Sequence, residues 1–282
     1  MDNYYKIGKK LYDKGKHKES FDTFIQGAID DDIFCYIKYA ELIGELNEQR
    51  KRDKIIKKCL KFLQENVENN DSESMRILAK IYHNGWGVEK DYELANKYLL
   101  KAVELDNVDA MCDLATAYFE EKYFDKDLEK SFYWYLKAAN RDNIFAQLFL
   151  AKMYKEGIYV EKNHDKSFEW YKRAAEAGNV NAQIYVANCY EEGNIVKQDL
   201  NYAFILYKKI ANENNYYAQL KVSSCYLNGI GVGSNLKQSE YWATKASEEN
   251  KKMNKQYKKN IKKRIKMKFR KNKKHKKSKT NR

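Results

Sequence analysis

The chain has 282 residues, 43% of them hydrophobic and 14% aromatic, which is enough apolar bulk for a sizeable core and excludes a wholly disordered protein. It contains no proline and only 12 glycines, so long helices meet almost no interior breakers. The formal net charge of +14 is unevenly placed: residues 250–282 hold 18 Lys/Arg and no Asp/Glu, leaving a mildly acidic body with 36 basic and 40 acidic residues.

The opening stretch MDNYYKIGKKLYDKGK lacks the apolar segment of a signal peptide, and no run of 18 apolar residues occurs, so a soluble, cytoplasmic protein is expected. Five cysteines, Cys35, Cys59, Cys112, Cys189 and Cys225, include no C-x-x-C pair and read as buried, reduced thiols. Within residues 1–73, the positions Tyr4, Ile7, Gly8, Leu11, Ser20 and Phe24 resemble the spacing of the tetratricopeptide repeat. Leu42, Leu46 and Phe62 fall one period before stronger repeat positions, so two irregular helical hairpins are expected as an N-terminal cap.

From residue 74 a 36-residue period takes over, marked by Tyr82, Tyr118, Tyr154, Tyr190 and Tyr226. Leu78, Leu114, Leu150, Val186 and Val222 lie four residues before each tyrosine, and Ser74, Ala110, Ala146, Ala182 and Ala218 four before those, so each triplet shares one helical face. Turns follow, with Gly85, Gly157, Gly193 and Gly229 in register and Glu121 as the exception. Asp91, Asp127, Asn163, Asp199 and Asn235 then stand as N-caps of a second helix. That helix repeats a small residue, a bulky one (Tyr98, Trp134, Trp170, Leu206, Trp242) and another small one, a pattern predicting an interhelical seam. Asp106, Asp142, Gly178 and Asn214 close the units with residue types that tolerate a left-handed backbone. Hairpins are predicted at 74–105, 110–140, 146–177, 182–213 and 218–249. A single hairpin leaves its apolar face uncovered, and stacking covers it.

These residues resemble the Sel1-like repeat family, most closely in AQLFLAKMYKEG at 146–157 and SFEWYKRAAEAGN at 167–179. The family glycine after the leucine is Ala79, Ala115, Ala151, Ala187 or Ser223 here, each still small. The resemblance implies an all-α, right-handed α/α solenoid of antiparallel hairpins, related to tetratricopeptide superhelices. Three regions are expected: degenerate hairpins over 1–73, five repeats over 74–249 and a basic tail, partly disordered, over 250–282.

Chemical motifs are few. His17, His83, His164 and His275 show no paired-ligand spacing, so neither a metal nor a cofactor is expected. Ser234-Asn-Leu-Lys237 matches S-x-x-K by chance frequency in a lysine-rich chain, and Gly229-Ile-Gly231-Val-Gly233 follows a helix where a phosphate loop needs a strand. Secreted, cysteine-rich members of the resembled family imply a β-lactamase-like hydrolase as a distant alternative. That reading needs paired cysteines within a unit, whereas Cys189 and Cys225 are repeat equivalents. The expectation is a non-enzymatic scaffold.

In the resembled family first helices line the concave face, which implies a protein or peptide partner held there by Lys80, His83, Thr116, Phe119, Lys152, Lys155, Asn188, Glu191, Ser224 and Leu227. The competing reading is an ordinary solvated face. In the tail, Met253, Tyr257, Ile261, Ile265 and Phe269 recur every four residues on a cationic helix. Lys262, Lys263, Arg264, Lys266, Lys268 and Arg270 are the candidate contacts to nucleic acid or an anionic membrane surface. A solvated tail in a lysine-rich chain is the alternative.

Overall fold

A computed structural model describes residues 4–14, 20, 23–24, 26–27, 34–35, 38, 49–121 and 124–248. The chain divides into two compact units, Met1–Val186 and Ala187–Arg282, and the described residues of both are helical and without strands. Among them, no helix is long and apolar enough to cross a membrane.

The first unit opens with α1 (Tyr4–Asp13) and α2 (Gln49–Glu68). Three hairpins follow: α3 (Ser72–Asn84) with α4 (Tyr92–Glu104), α5 (Val108–Glu120) with α6 (Leu128–Ala139), and α7 (Ile144–Glu156) with α8 (His164–Glu176). Each helix packs on its hairpin mate, and α4 on α5 and α6 on α7 join successive hairpins. The division between the units falls in α9 (Val180–Glu192). The second unit carries α10 (Leu200–Asn212) packed on α11 (Tyr216–Asn228), then α12 over 236–248.

Local chemistry explains why these segments are helices. Asp91, Asp127, Asn163, Asp199 and Asn235 each accept, through a side-chain oxygen, the N–H three residues on, as predicted. Asp71, Asn107, Asn143, Asn179 and Asn215 do the same for the first helices, so the residue after each unit-closing position starts the next unit. The closing residues Asp106, Asp142, Gly178 and Asn214 have φ of 65°, 60°, 92° and 63°, the left-handed backbone that ends each hairpin. Glu121 takes φ 55° where its equivalents are glycine.

The small positions close the joints. Ala110, Ala146, Ala182 and Ala218 are fully buried, as are Ala102, Ala138 and Ala174, which lets neighbouring helix backbones approach closely. In the first unit one continuous core runs from Met75 through Leu99, Met111, Leu114 and Tyr135 to Leu150 and Met153. The bulky seam position is buried at Trp242 in the second unit but departs from expectation in the first. Trp134 and Trp170 are only half-buried, and each lies beneath the cation three residues on, Lys137 at 5.0 Å and Arg173 at 4.8 Å. Beside Trp134 the buried aromatic is the next residue, Tyr135, and the equivalent Tyr207 of the second unit is likewise fully enclosed, whereas Tyr171 beside Trp170 is only half-buried. A helical period of 3.6 turns neighbouring residues apart by about 100°, so a one-residue error in register moves a ring from core to rim.

The glycine-rich turn in the second unit needs no ligand. Gly229 caps α11 in the left-handed region, and Gly231, at φ 65°, lies with the Leu200 carbonyl where a Cβ would otherwise project.

Behind α1 lies a separate small core of Phe24, Cys35, Tyr4 and Tyr5. Gly8 sets how close α1 comes, since a Cβ there would stand 2.6 Å from the Phe24 ring, and the Ser20 hydroxyl donates to the Gly8 carbonyl at 2.6 Å. Leu42, Leu46 and the basic tail with Lys262, Lys263, Arg264, Lys266, Lys268 and Arg270 lie outside the described residues.

Candidate functional site

The predicted partner-binding residues come from two positions on each first helix, and the structure gives those positions a shared geometry. In the first unit Lys80 pairs with Asp113 at 3.1 Å, and the Phe119 and Phe149 rings meet edge to face at 4.9 Å. Lys155 lies 5.4 Å over the Tyr185 ring. In the second unit Glu191 pairs with Lys221 at 2.6 Å. Lys80, Phe119, Lys155 and Glu191 thus each meet the residue just before the leucine position of the next repeat (Asp113, Phe149, Tyr185, Lys221), a series sequence reasoning passed over although it keeps the same 36-residue register.

The remaining members divide between packed and open. His83 lies edge to face with Tyr92 at 5.3 Å. Thr116 is turned inward, its hydroxyl sharing a 2.8 Å hydrogen bond with Tyr135 and another with the Cys112 carbonyl. Lys152, Ser224 and Leu227 are exposed, Leu227 at 53%. Asn188 is 2.5 Å from the Tyr207 hydroxyl, which also reaches Glu191 at 2.7 Å. Burial pushes the Tyr207 phenol up, and the neighbouring Glu191 carboxylate pushes it further, so this network holds a protonated tyrosine.

Two local environments stand out in the first unit. One is an aromatic patch: Phe149 stacks on Tyr135 at 4.3 Å and touches Phe145 at 6.0 Å, while Phe145 itself is 49% exposed. The other is a dense ionic cluster that includes residues absent from the sequence-based selection. Arg76 donates to Glu73 at 2.6 and 2.9 Å and to Asp113 at 2.9 Å, and Tyr5 donates to Glu73. Burial disfavours the charged carboxylates, yet Arg76 outweighs it and holds Glu73 well below the usual range. Lys80 and Arg76 do the same for Asp113. Opposed burial and attraction of this kind marks a tightly paired cluster. It offers no free acid or base for catalysis.

None of the five cysteines is in a disulfide. All five are buried, and burial pushes the Cys112 thiol up to about 12, which makes it a packing group and an unreactive one.

Successive capped helical hairpins with small-residue joints define an α/α repeat protein. The Sel1 repeat model matches residues 72–107, 108–143, 144–179, 180–215 and 217–251, and the chain belongs to that family. A Sel1 repeat protein from Oxalobacter formigenes is similar at 28% identity over 73% of this chain and 83% of that one, with a TM-score of 0.58. The protective antigen c5321 of uropathogenic Escherichia coli, described as displaying an SLR fold, is 24% identical over 81% of this chain and 48% of that one, with a TM-score of 0.59, and supports the fold alone. No curated protein matches the chain at a significant level. Sel1 repeats typically mediate protein–protein interaction, and their solenoid is generally a non-catalytic scaffold.

Proposed function

We propose that the protein is a non-enzymatic scaffold whose first-helix face holds a segment of another protein. The observation that carries this reading is the aromatic patch of Phe119, Phe145 and Phe149 in the first unit, with exposed Lys152 and Lys155 on the same helix as Phe145 and Phe149. A half-exposed phenylalanine beside two half-buried rings is an anchor for an apolar side chain, and the lysines favour a partner with acidic residues beside that anchor. Five buried cysteines outside any disulfide favour a reducing, cytoplasmic setting. Neither a cofactor nor a small-molecule substrate is needed for this activity.

Combining Lys152→Glu with Lys155→Glu reverses both charges and is expected to abolish recovery of a specific protein partner while moving stability by less than about 0.5 kcal/mol, the usual range for surface changes. Affinity recovery beside a thermal melt reads both. Full recovery by the double variant sinks the reading.

The tail supports a second reading, contact with a polyanion through residues such as Lys262, Lys263, Arg264, Lys266, Lys268 and Arg270, because 18 positive charges there face no carboxylate in sequence. RNA binding that falls steeply with salt, and is lost in a chain ending at Asn250, is the expected result. Equal affinity of the two chains removes this reading.

A further inference from the structure

The N-cap asparagines Asn107, Asn143 and Asn179 do more than cap their helices. The Asn107 amide donates to Glu73 of the preceding repeat at 3.2 Å, and the Asn143 amide donates to Asp109 at 3.0 Å, so two Asn–carboxylate rungs tie these repeats to the ones before them. At the next rung, Asn179 faces a break in the pattern, because the position of Glu73 and Asp109 is taken by Phe145, which has no acceptor. The Asp13 carbonyl of α1 fills it, accepting from the Asn179 amide at 2.7 Å.

Successive turns of α1 meet the other rungs as well. Tyr5 donates to Glu73, Lys9 pairs with Asp109, and the Lys14 carbonyl accepts from the Val180 N–H at 3.3 Å, setting the C-terminal end of α1 against the N-terminus of α9 with favourable dipole ends together. The unit-closing residue is altered at this place too. Asp106, Asp142 and Asn214 become Gly178, and a Cβ there would stand 3.1 Å from the Lys14 stem. Two departures from the repeat, Phe145 and Gly178, thus coincide where α1 ends.

These contacts to the repeats are polar. Gly8 is the one buried residue of α1, and the Tyr5 ring that reaches Glu73 also meets Phe24 and Phe34. We propose that α1 is a built-in, displaceable ligand of the first unit, and that the seat it occupies is an interaction surface for a basic helix from another chain. Such a helix would present a tyrosine, a lysine one turn later, and its last backbone carbonyls to Asn179 and Val180. The seat matches this occupant in charge, offering Glu73 and Asp109 to its side chains and two N–H donors to its C-terminal end. The inference does not rest on the aromatic-patch reading, since Lys152 and Lys155 take no part in the seat.

The full-length Lys9→Glu chain tests it. The substitution sets a carboxylate against Asp109 and leaves every seat residue intact. Hydrogen exchange of residues 4–14 is expected to quicken at least tenfold, with α5 to α8 unchanged. A fluorescent, C-terminally amidated Tyr4–Lys14 peptide then serves as the probe, held helical by a lactam from Lys6 to a Lys10→Glu position, both on the exposed side. It should bind the Lys9→Glu chain at least tenfold more tightly than the unaltered chain. Unchanged exchange in residues 4–14, loosening of α5 to α8 together with α1, or equal or absent binding of the peptide to the two chains would each overturn the proposal.

Discussion

The joints between repeats and the joint between α1 and the repeats lie within the same unit but are built from different physics. Between repeats, fully buried alanines bring backbones together and Tyr135 fills the space beside them. Between α1 and the repeats the connection includes Tyr5 with Glu73 and Arg76, Lys9–Asp109 and two backbone carbonyls. Apolar burial scales with area and has no competitor in water, whereas each polar contact replaces one already made with solvent and nets only about 1 kcal/mol. The first kind of joint makes the array cooperative. The second leaves a helix that can part from it.

The largest effect should come from the apolar joints. Tyr135→Ala removes a fully buried ring between Thr116 and Phe149 and is expected to cost about 3–5 kcal/mol, read by denaturant unfolding. Trp170→Ala, at the half-buried rim, should cost clearly less, and equal costs would show that rim and core are energetically alike. Next in size is Arg76→Met, which strands Glu73 and Asp113 with much of their compensation gone. A loss of about 3 kcal/mol is expected, with α1 released as well.

A smaller effect separates equivalent rungs. Asn143→Ala and Asn179→Ala each remove an N-cap worth about 1 kcal/mol, but only the second also removes the donor to Asp13. Faster exchange at the end of α1 in the Asn179 variant alone is the expected signature. Acid provides a graded version. Glu73 and Asp113 titrate below their ordinary values in the folded chain, so their contribution is present above the unfolded carboxylate range and is lost as pH falls through their lowered folded values. Asp13, raised by burial, works in the opposite sense. Circular dichroism and exchange from neutral pH downward should show α1 loosening before the hairpins.

Much of the fold was legible because stacking imposes one register on every unit. Tyr82 to Tyr226, the N-caps from Asp91 to Asn235 and the left-handed closing residues all answer to that period. The exact ring in the core was not legible, since Trp134 and Tyr135 are both bulky and adjacent, and only the helix phase decides which one faces inward. The seat of α1 was hidden for another reason. Phe145 and Gly178 read as minor irregularities until Asp13 and Lys14 are brought beside them from a distant part of the chain. Long-range polar contacts leave no periodic trace.

Native-state hydrogen exchange in rising, sub-denaturing urea tests the contrast between the two joints most directly. The account predicts that amides of α1 open at low free energy and with a shallow urea dependence, because little apolar surface is uncovered against the repeats. The amides of α5 to α8 should open together, at higher free energy and with a steep dependence. A single common dependence for α1 and these hairpins would contradict it.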